Sequence, residues 1–113
     1  MAQTEIQLRA LVEETRKQLA EADLKVIEVL RGDEMKNAVI DFRKTALERH
    51  LNAYDEACQK YIEGKIDKIS FRDMYRSEIR NLAENEVTSK LILSETSNYQ
   101  SIKKVYKEWE NKS

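Results

Sequence analysis

The sequence predicts an all-α fold: a long antiparallel helical hairpin, with two shorter C-terminal helices completing a small bundle. Three observations predict it. The 113 residues include no proline and only two glycines, Gly32 and Gly64. Proline breaks a helix interior and glycine weakens it, so long stretches can be helical, with the glycines as punctuation. Apolar side chains recur in steps of three and four, the helical spacing. Charged residues make up 36% of the chain at a net charge of −1, with both signs interleaved as on a solvated helical surface. The expected helix content is at least about 70%, with no strand.

The first helix is expected over residues 4–31. Thr4 is placed to cap it, with Gln7 in the reciprocal capping-box position. Leu8, Val12, Thr15, Leu19, Ala22, Val26 and Val29 alternate in steps of four and three, a seam of heptad spacing. Leu11, Ile27 and Leu30 widen it. At ~1.5 Å per residue the helix is roughly 42 Å long. Thr15 and Ala22 interrupt the seam, so it reads as the face of a bundle helix rather than a strong zipper.

Gly32 reads as the residue just past this helix, with Asp33 capping the next. The Arg31-Gly32-Asp33 triplet is helix punctuation, because no secretory signal accompanies it. The second helix is expected over 34–63. Val39, Phe42, Ala46, His50, Ala53, Ala57 and Tyr61 form one stripe; Leu47, Leu51, Tyr54, Cys58 and Ile62 adjoin it. The combined face places this helix at the centre of the packing.

Gly64 to Asp67 makes a turn, and Ser70 opens a third helix over 70–87 with Asp73 as its box partner. Phe71, Met74, Tyr75, Ile79, Leu82 and Ala83 give its buried face. Residues 90–98 read as a loop with one packed patch, Leu91-Ile92-Leu93. Thr96 or Ser97 caps a final helix over 97–111 carrying Tyr99, Ile102, Val105, Tyr106 and Trp109.

From Leu51-Asn52 the landmarks continue through Asp55-Glu56, Tyr61, Gly64-Lys65-Ile66-Asp67, Phe71 and Tyr75 to Tyr99, Ile102 and Trp109. This order resembles a loosely defined family of uncharacterised bacterial helical domains, often found behind an N-terminal membrane helix. The resemblance covers the C-terminal half. Here an amphipathic helix stands where the family has its membrane helix, so membrane attachment is not implied. The family supplies no catalytic residues.

Several chemistries are disfavoured. Setting Gly64 as the glycine of a calcium loop puts Gln59, Tyr61 and Glu63 at the first ligand positions and Ser70 at the closing one, and calcium needs several converging hard oxygens. His50 is the only histidine, and its helical neighbours are Ala46, Leu47, Ala53 and Tyr54; no second metal ligand shares its face. Cys58 lies among Tyr54, Tyr61 and Ile62, the setting of a packed thiol rather than an activated one. The chain lacks a glycine-rich phosphate loop, a nucleophile elbow and Glu-x-x-His pairs. No enzymatic activity and no cofactor are expected.

The location expected is cytoplasmic. One cysteine allows no intrachain disulfide. Met1 to Glu5 is polar with no apolar segment after it. No apolar run exceeds three residues, as at Leu91-Ile92-Leu93, so no membrane span is expected.

Two surfaces remain. The first is the seam of Leu8, Val12, Leu19, Val26 and Val29, expected to bind a partner helix or a second copy, because the two short C-terminal helices do not cover it. The second is a basic ridge, Lys68, Arg72, Arg76 and Arg80, joined by Lys103 and Lys107 around Tyr106 and Trp109. Basic residues among aromatics suit phosphates or single-stranded nucleic acid. Against that, Asp73, Glu78 and Glu84 offer salt-bridge partners, and the isoelectric point is about 5.9. Lys60 replaces the small residue of a tight helix-turn-helix. The reading favoured is a non-enzymatic interaction or regulatory module, with nucleic-acid binding as the alternative.

Overall fold

A computed structural model describes residues 2–29 and 36–110. Among them 86% are helical and none is in a strand. The helices are α1 (Ala2–Val29), α2 (Lys36–Ile62), α3 (Lys68–Glu84), α4 (Thr88–Leu93) and α5 (Gln100–Glu110).

α1 and α2 are antiparallel. Thr15 meets His50, Arg16 meets Tyr54, and Asp23 meets Arg43. The break expected at Gly32 and the cap expected at Asp33 lie outside the described residues. α1 begins at Ala2, so Thr4 sits inside its first turn and is not the cap.

The exit from α2 follows from hydrogen-bond geometry. Gly64 has φ 73°, Lys65 N–H donates to the Lys60 carbonyl at 2.9 Å, and Gly64 N–H donates to Tyr61 at 3.1 Å. This is the paired Schellman closure, which needs the left-handed residue that glycine supplies. α3 then starts at Lys68, two residues earlier than expected. Its cap is Asp67, whose Oδ1 accepts from Ser70 N–H at 3.0 Å.

α3 also ends early, at Glu84. The Asn85 side chain accepts from Val87 N–H at 2.9 Å and Thr88 N–H at 3.4 Å. The Asn85 backbone turns extended there, so one helix closes and another opens with neither glycine nor proline. The expected loop patch is therefore α4, with Ile92 fully buried and Leu91 and Leu93 exposed. α5 starts at Gln100. Ser97 Oγ accepts from Tyr99 N–H at 2.9 Å, but the free N–H groups of Ser101 and Ile102 are capped from α2, by Asp55 Oδ1 at 3.0 and 3.1 Å.

α3 runs parallel to α1, with Asp67 N–H on Glu5 and Arg16 on Glu78. It runs antiparallel to α5, with Arg80 on Glu110 and Tyr106 on Glu84. The core lies between α2, α3 and α5, floored by Leu8 and Val12 of α1. Leu51, Tyr54, Cys58, Ile79, Ile102 and Val105 are fully enclosed. Trp109 packs edge-on against Tyr61 at 5.5 Å and donates Nε1–H to its hydroxyl at 3.0 Å.

α3, with 17 residues, is far shorter than α1 with 28. In the register of Asp67 on Glu5 and Glu78 on Arg16, Glu84 lies level with Ala22, so the hairpin projects beyond α3 by roughly 10 Å. The radius of gyration, 15.4 Å, exceeds the about 13 Å of a compact chain this long. Phe42, expected in the central stripe, is exposed on this projection, with Lys25 Nζ 4.8 Å from its ring centre. Met74 is also exposed rather than buried.

Candidate functional site

The seam expected to bind a partner is mostly internal. Leu8 and Val12 are core residues beneath α2 and α3, and Leu19 packs against the same cluster. Val26 is half-buried. The side chain of Val29 lies outside the described residues, as does Leu30. The reason is α2, whose antiparallel course covers the seam, with Phe71 and Tyr75 of α3 closing over its start at Leu8 and Val12. The expected free seam is corrected accordingly. Leu11 and Ile27 do not widen it, since both are exposed.

The basic ridge is real in part. Lys68 is exposed, with Nζ 5.3 Å from the Tyr61 ring centre. Arg72 and Arg76 lie half-buried along α3 beside Ile69, Asp73 and Ser77. Arg80 does not extend this positive field, because its Nε donates to Glu110 at 3.1 Å. Lys103 Nζ donates to the Ser94 carbonyl at 3.2 Å, and Lys107 is exposed on α5. The two basic clusters are thus separated by Glu110 on Arg80 and Glu84 on Tyr106. Glu78, expected to neutralise the ridge, faces α1 instead.

A polar cluster unseen from sequence lies where the hairpin leaves the bundle. It lines an open cleft of about 500 Å³ between α1, α2 and the α3–α4 turn. Arg16 Nη2 reaches both oxygens of Glu78 at 2.6 and 2.5 Å and the Tyr54 hydroxyl at 3.1 Å. Its Nη1 donates to Glu13 at 2.5 Å. Burial works against the Arg16 charge, but Glu78 and Glu13 more than offset it and raise its pKa. Thr15 Oγ1 lies 3.0 Å from the Val12 carbonyl and 2.7 Å from His50 Nδ1. One hydroxyl proton serves one acceptor. With that proton on Val12, His50 Nδ1–H donates to Thr15. Burial, with Arg16 adding repulsion, pushes the His50 pKa down to about 4, Glu13 opposing. His50 is neutral at pH 7.

This cluster binds itself. Arg16 is paired with Glu78 and Glu13, and Arg43 with Asp23 at 2.5 Å, so the charge of each cation is offset within the protein. It locks three helices together. Sequence spacing did not reveal it, because Arg16, His50, Tyr54 and Glu78 come from three helices. Cys58 is enclosed, and burial, with Asp55 adding repulsion, pushes its thiol well up, away from the reactive thiolate. Among the described residues no three His, Cys, Asp or Glu side chains converge as a metal site, and no helix is long and apolar enough to cross a membrane.

A further uncovered feature is the side of α1 turned away from α2. There Ile6, Leu24 and Ile27 are 67%, 61% and 54% exposed, three large aliphatic side chains on one helix. No family model matches the chain, no curated protein matches it, and no solved structure matches it.

Proposed function

We infer that this chain is a non-enzymatic helical interaction module, a small inhibitor or adaptor acting in the cytoplasm, whose partner is a protein or a second copy. The observation that carries the reading is the uncovered face of α1 with Ile6, Leu24 and Ile27. Exposed aliphatic residues at helical spacing suit recognition of another helix. The buried thiol and the self-neutralised Arg16 cluster support a structural role for groups that chemistry could otherwise use. The single, unpaired cysteine supports a reducing compartment.

The competing reading is nucleic-acid binding through Lys68, Arg72 and Arg76. The test is affinity capture on the tagged chain, with and without nuclease, using the double variant Ile6→Glu/Leu24→Glu and the double variant Arg72→Glu/Arg76→Glu. A stoichiometric, nuclease-resistant protein that is lost only with the α1 variant supports the module. Recovery of nuclease-sensitive material alone, lost with the arginine variant and falling steeply with salt, replaces it with the nucleic-acid reading.

A further inference from the structure

The outward face of α1 carries a second heptad seam, distinct from the one α2 covers. Ile6, Ala10, Glu13, Lys17, Ala20 and Leu24 alternate in steps of four and three and are all exposed. Ile27 continues the same spacing. The seam lies on the far side of the helix from Ala22 and Val12, which are fully buried. Its composition is symmetric about its centre. Aliphatic residues stand at both ends, alanines come next inward, and opposite charges, Glu13 and Lys17, occupy the middle.

We propose that a second copy of this chain docks on this seam, the two α1 helices running antiparallel about a two-fold axis between Glu13 and Lys17. The proposal rests on the interaction-module reading above and names its partner. In an antiparallel pair each layer joins one seam position to its reciprocal on the other helix. Ile6 then meets the partner's Leu24, Ala10 meets the partner's Ala20, and Glu13 meets the partner's Lys17. The two-fold axis repeats every pairing, as an isologous interface requires. A parallel pair would instead set Glu13 against itself and Lys17 against itself. The alanine layers let the backbones approach closely. Glu13 holds Arg16 through Oε1, which leaves Oε2 for the partner's Lys17. At one flank Arg9 lies roughly 3 Å along the axis from the level of the partner's Asp23, whose Oδ1 is on Arg43. At the other, Glu14 faces its own copy at the solvent edge, where screening keeps the repulsion small. A strip roughly 32 Å long and one helix wide is a small interface, so the dimer is weak and dilution dissociates it.

Light scattering or sedimentation from about 10 µM to about 1 mM is expected to show the mass rising from one chain toward two. Lys17→Glu places only carboxylates in the two central layers. It is expected to weaken association at least about tenfold and leave the helical circular dichroism unchanged. Glu13→Lys does the converse, and mixing the two variants restores opposite charges in both layers and so restores the dimer. Direction is read by cysteine cross-linking, with Cys58 buried and silent. Ala10→Cys mixed with Ala20→Cys is expected to form an interchain disulfide. Ala10→Cys alone is not, because its two copies stand roughly 15 Å apart along the axis. A single-chain mass at about 1 mM, a dimer indifferent to Lys17→Glu, or a disulfide from Ala10→Cys alone overturns the proposal. A monomer that still captures another protein through Ile6 and Leu24 overturns the dimer and leaves the module reading in place. A monomer that captures no protein removes both.

Discussion

The two halves of the hairpin are made from the same pair of helices, yet they are held by different physics. At the base, α2 is walled on three sides. Leu51, Tyr54 and Cys58 are fully enclosed by α1, α3 and α5. In the projecting half, α1 and α2 have only each other. Ala22 and Ala46 are buried between them, but Phe42 lies under Lys25 at the surface and Asp23 reaches across to Arg43. Similar spacing of apolar residues therefore gives a closed core where a third layer exists and one narrow seam where it does not. A two-helix seam buries little apolar area, so the projection is expected to open more readily than the base.

Removing the aromatic anchor at the base is the severest way to break this contrast. Trp109→Ala deletes a side chain that touches Tyr61 and Phe71 and donates to the Tyr61 hydroxyl. A loss of about 3–5 kcal/mol is expected, read as a lower urea midpoint.

Acid attacks the junction of the two halves next. The folded pKa of His50 is about 4, against 6.5 for the ordinary group. The unfolded chain therefore binds the proton first. The stabilisation from keeping His50 neutral is complete above pH 6.5 and is lost as pH falls toward 4. About 3 kcal/mol is lost across that window. Urea unfolding at a series of pH values checks it, and His50→Gln is expected to flatten that part of the profile.

Smaller effects come from the helix ends that shape the base. Gly64→Ala meets no atom within 4 Å, so its cost is the backbone strain of φ 73° alone, about 1–2 kcal/mol. Asp55→Ala strips the cap from α5 and is expected to cost about 1 kcal/mol. Both are measured by chemical denaturation with unchanged slope.

The smallest expected effect sharpens the comparison most. Leu24→Ala on the outward face is expected to change monomer stability by less than about 0.5 kcal/mol, whereas Leu51→Ala at the base costs about 2–5. Thermal unfolding in dilute solution compares them. Near-equal losses would show that the outward face of α1 is covered rather than free.

The helical class and the hairpin were legible before any coordinates, because missing breakers and helical periodicity are local properties of the chain. The second helix's central place was legible too, from the breadth of its apolar face between Ala46 and Ile62. Helix ends were less so. Asn85 ends α3 as its backbone turns extended, and its side chain then accepts from the N–H groups that open α4, in a stretch without glycine or proline to mark it. Asp55 caps a helix 46 residues later, and sequence spacing carries no sign of such a pairing.

The candidate surfaces divide the same way. The basic ridge could be read along α3, but Arg80 is neutralised by Glu110 on another helix. Leu8 and Val12 could be read as apolar, but only the packing shows that they face inward. Periodicity states which residues share a face; it does not state what covers that face. By itself the sequence determined the four longer helices, most of their apolar stripes and the Gly64 turn, since each follows from backbone sterics and spacing within one segment, whereas α4 read as a loop. Tertiary structure alone decided which seam of α1 is core and which is surface, and which charges are already paired. Those outcomes depend on contacts between distant segments, where burial and ion pairing are settled.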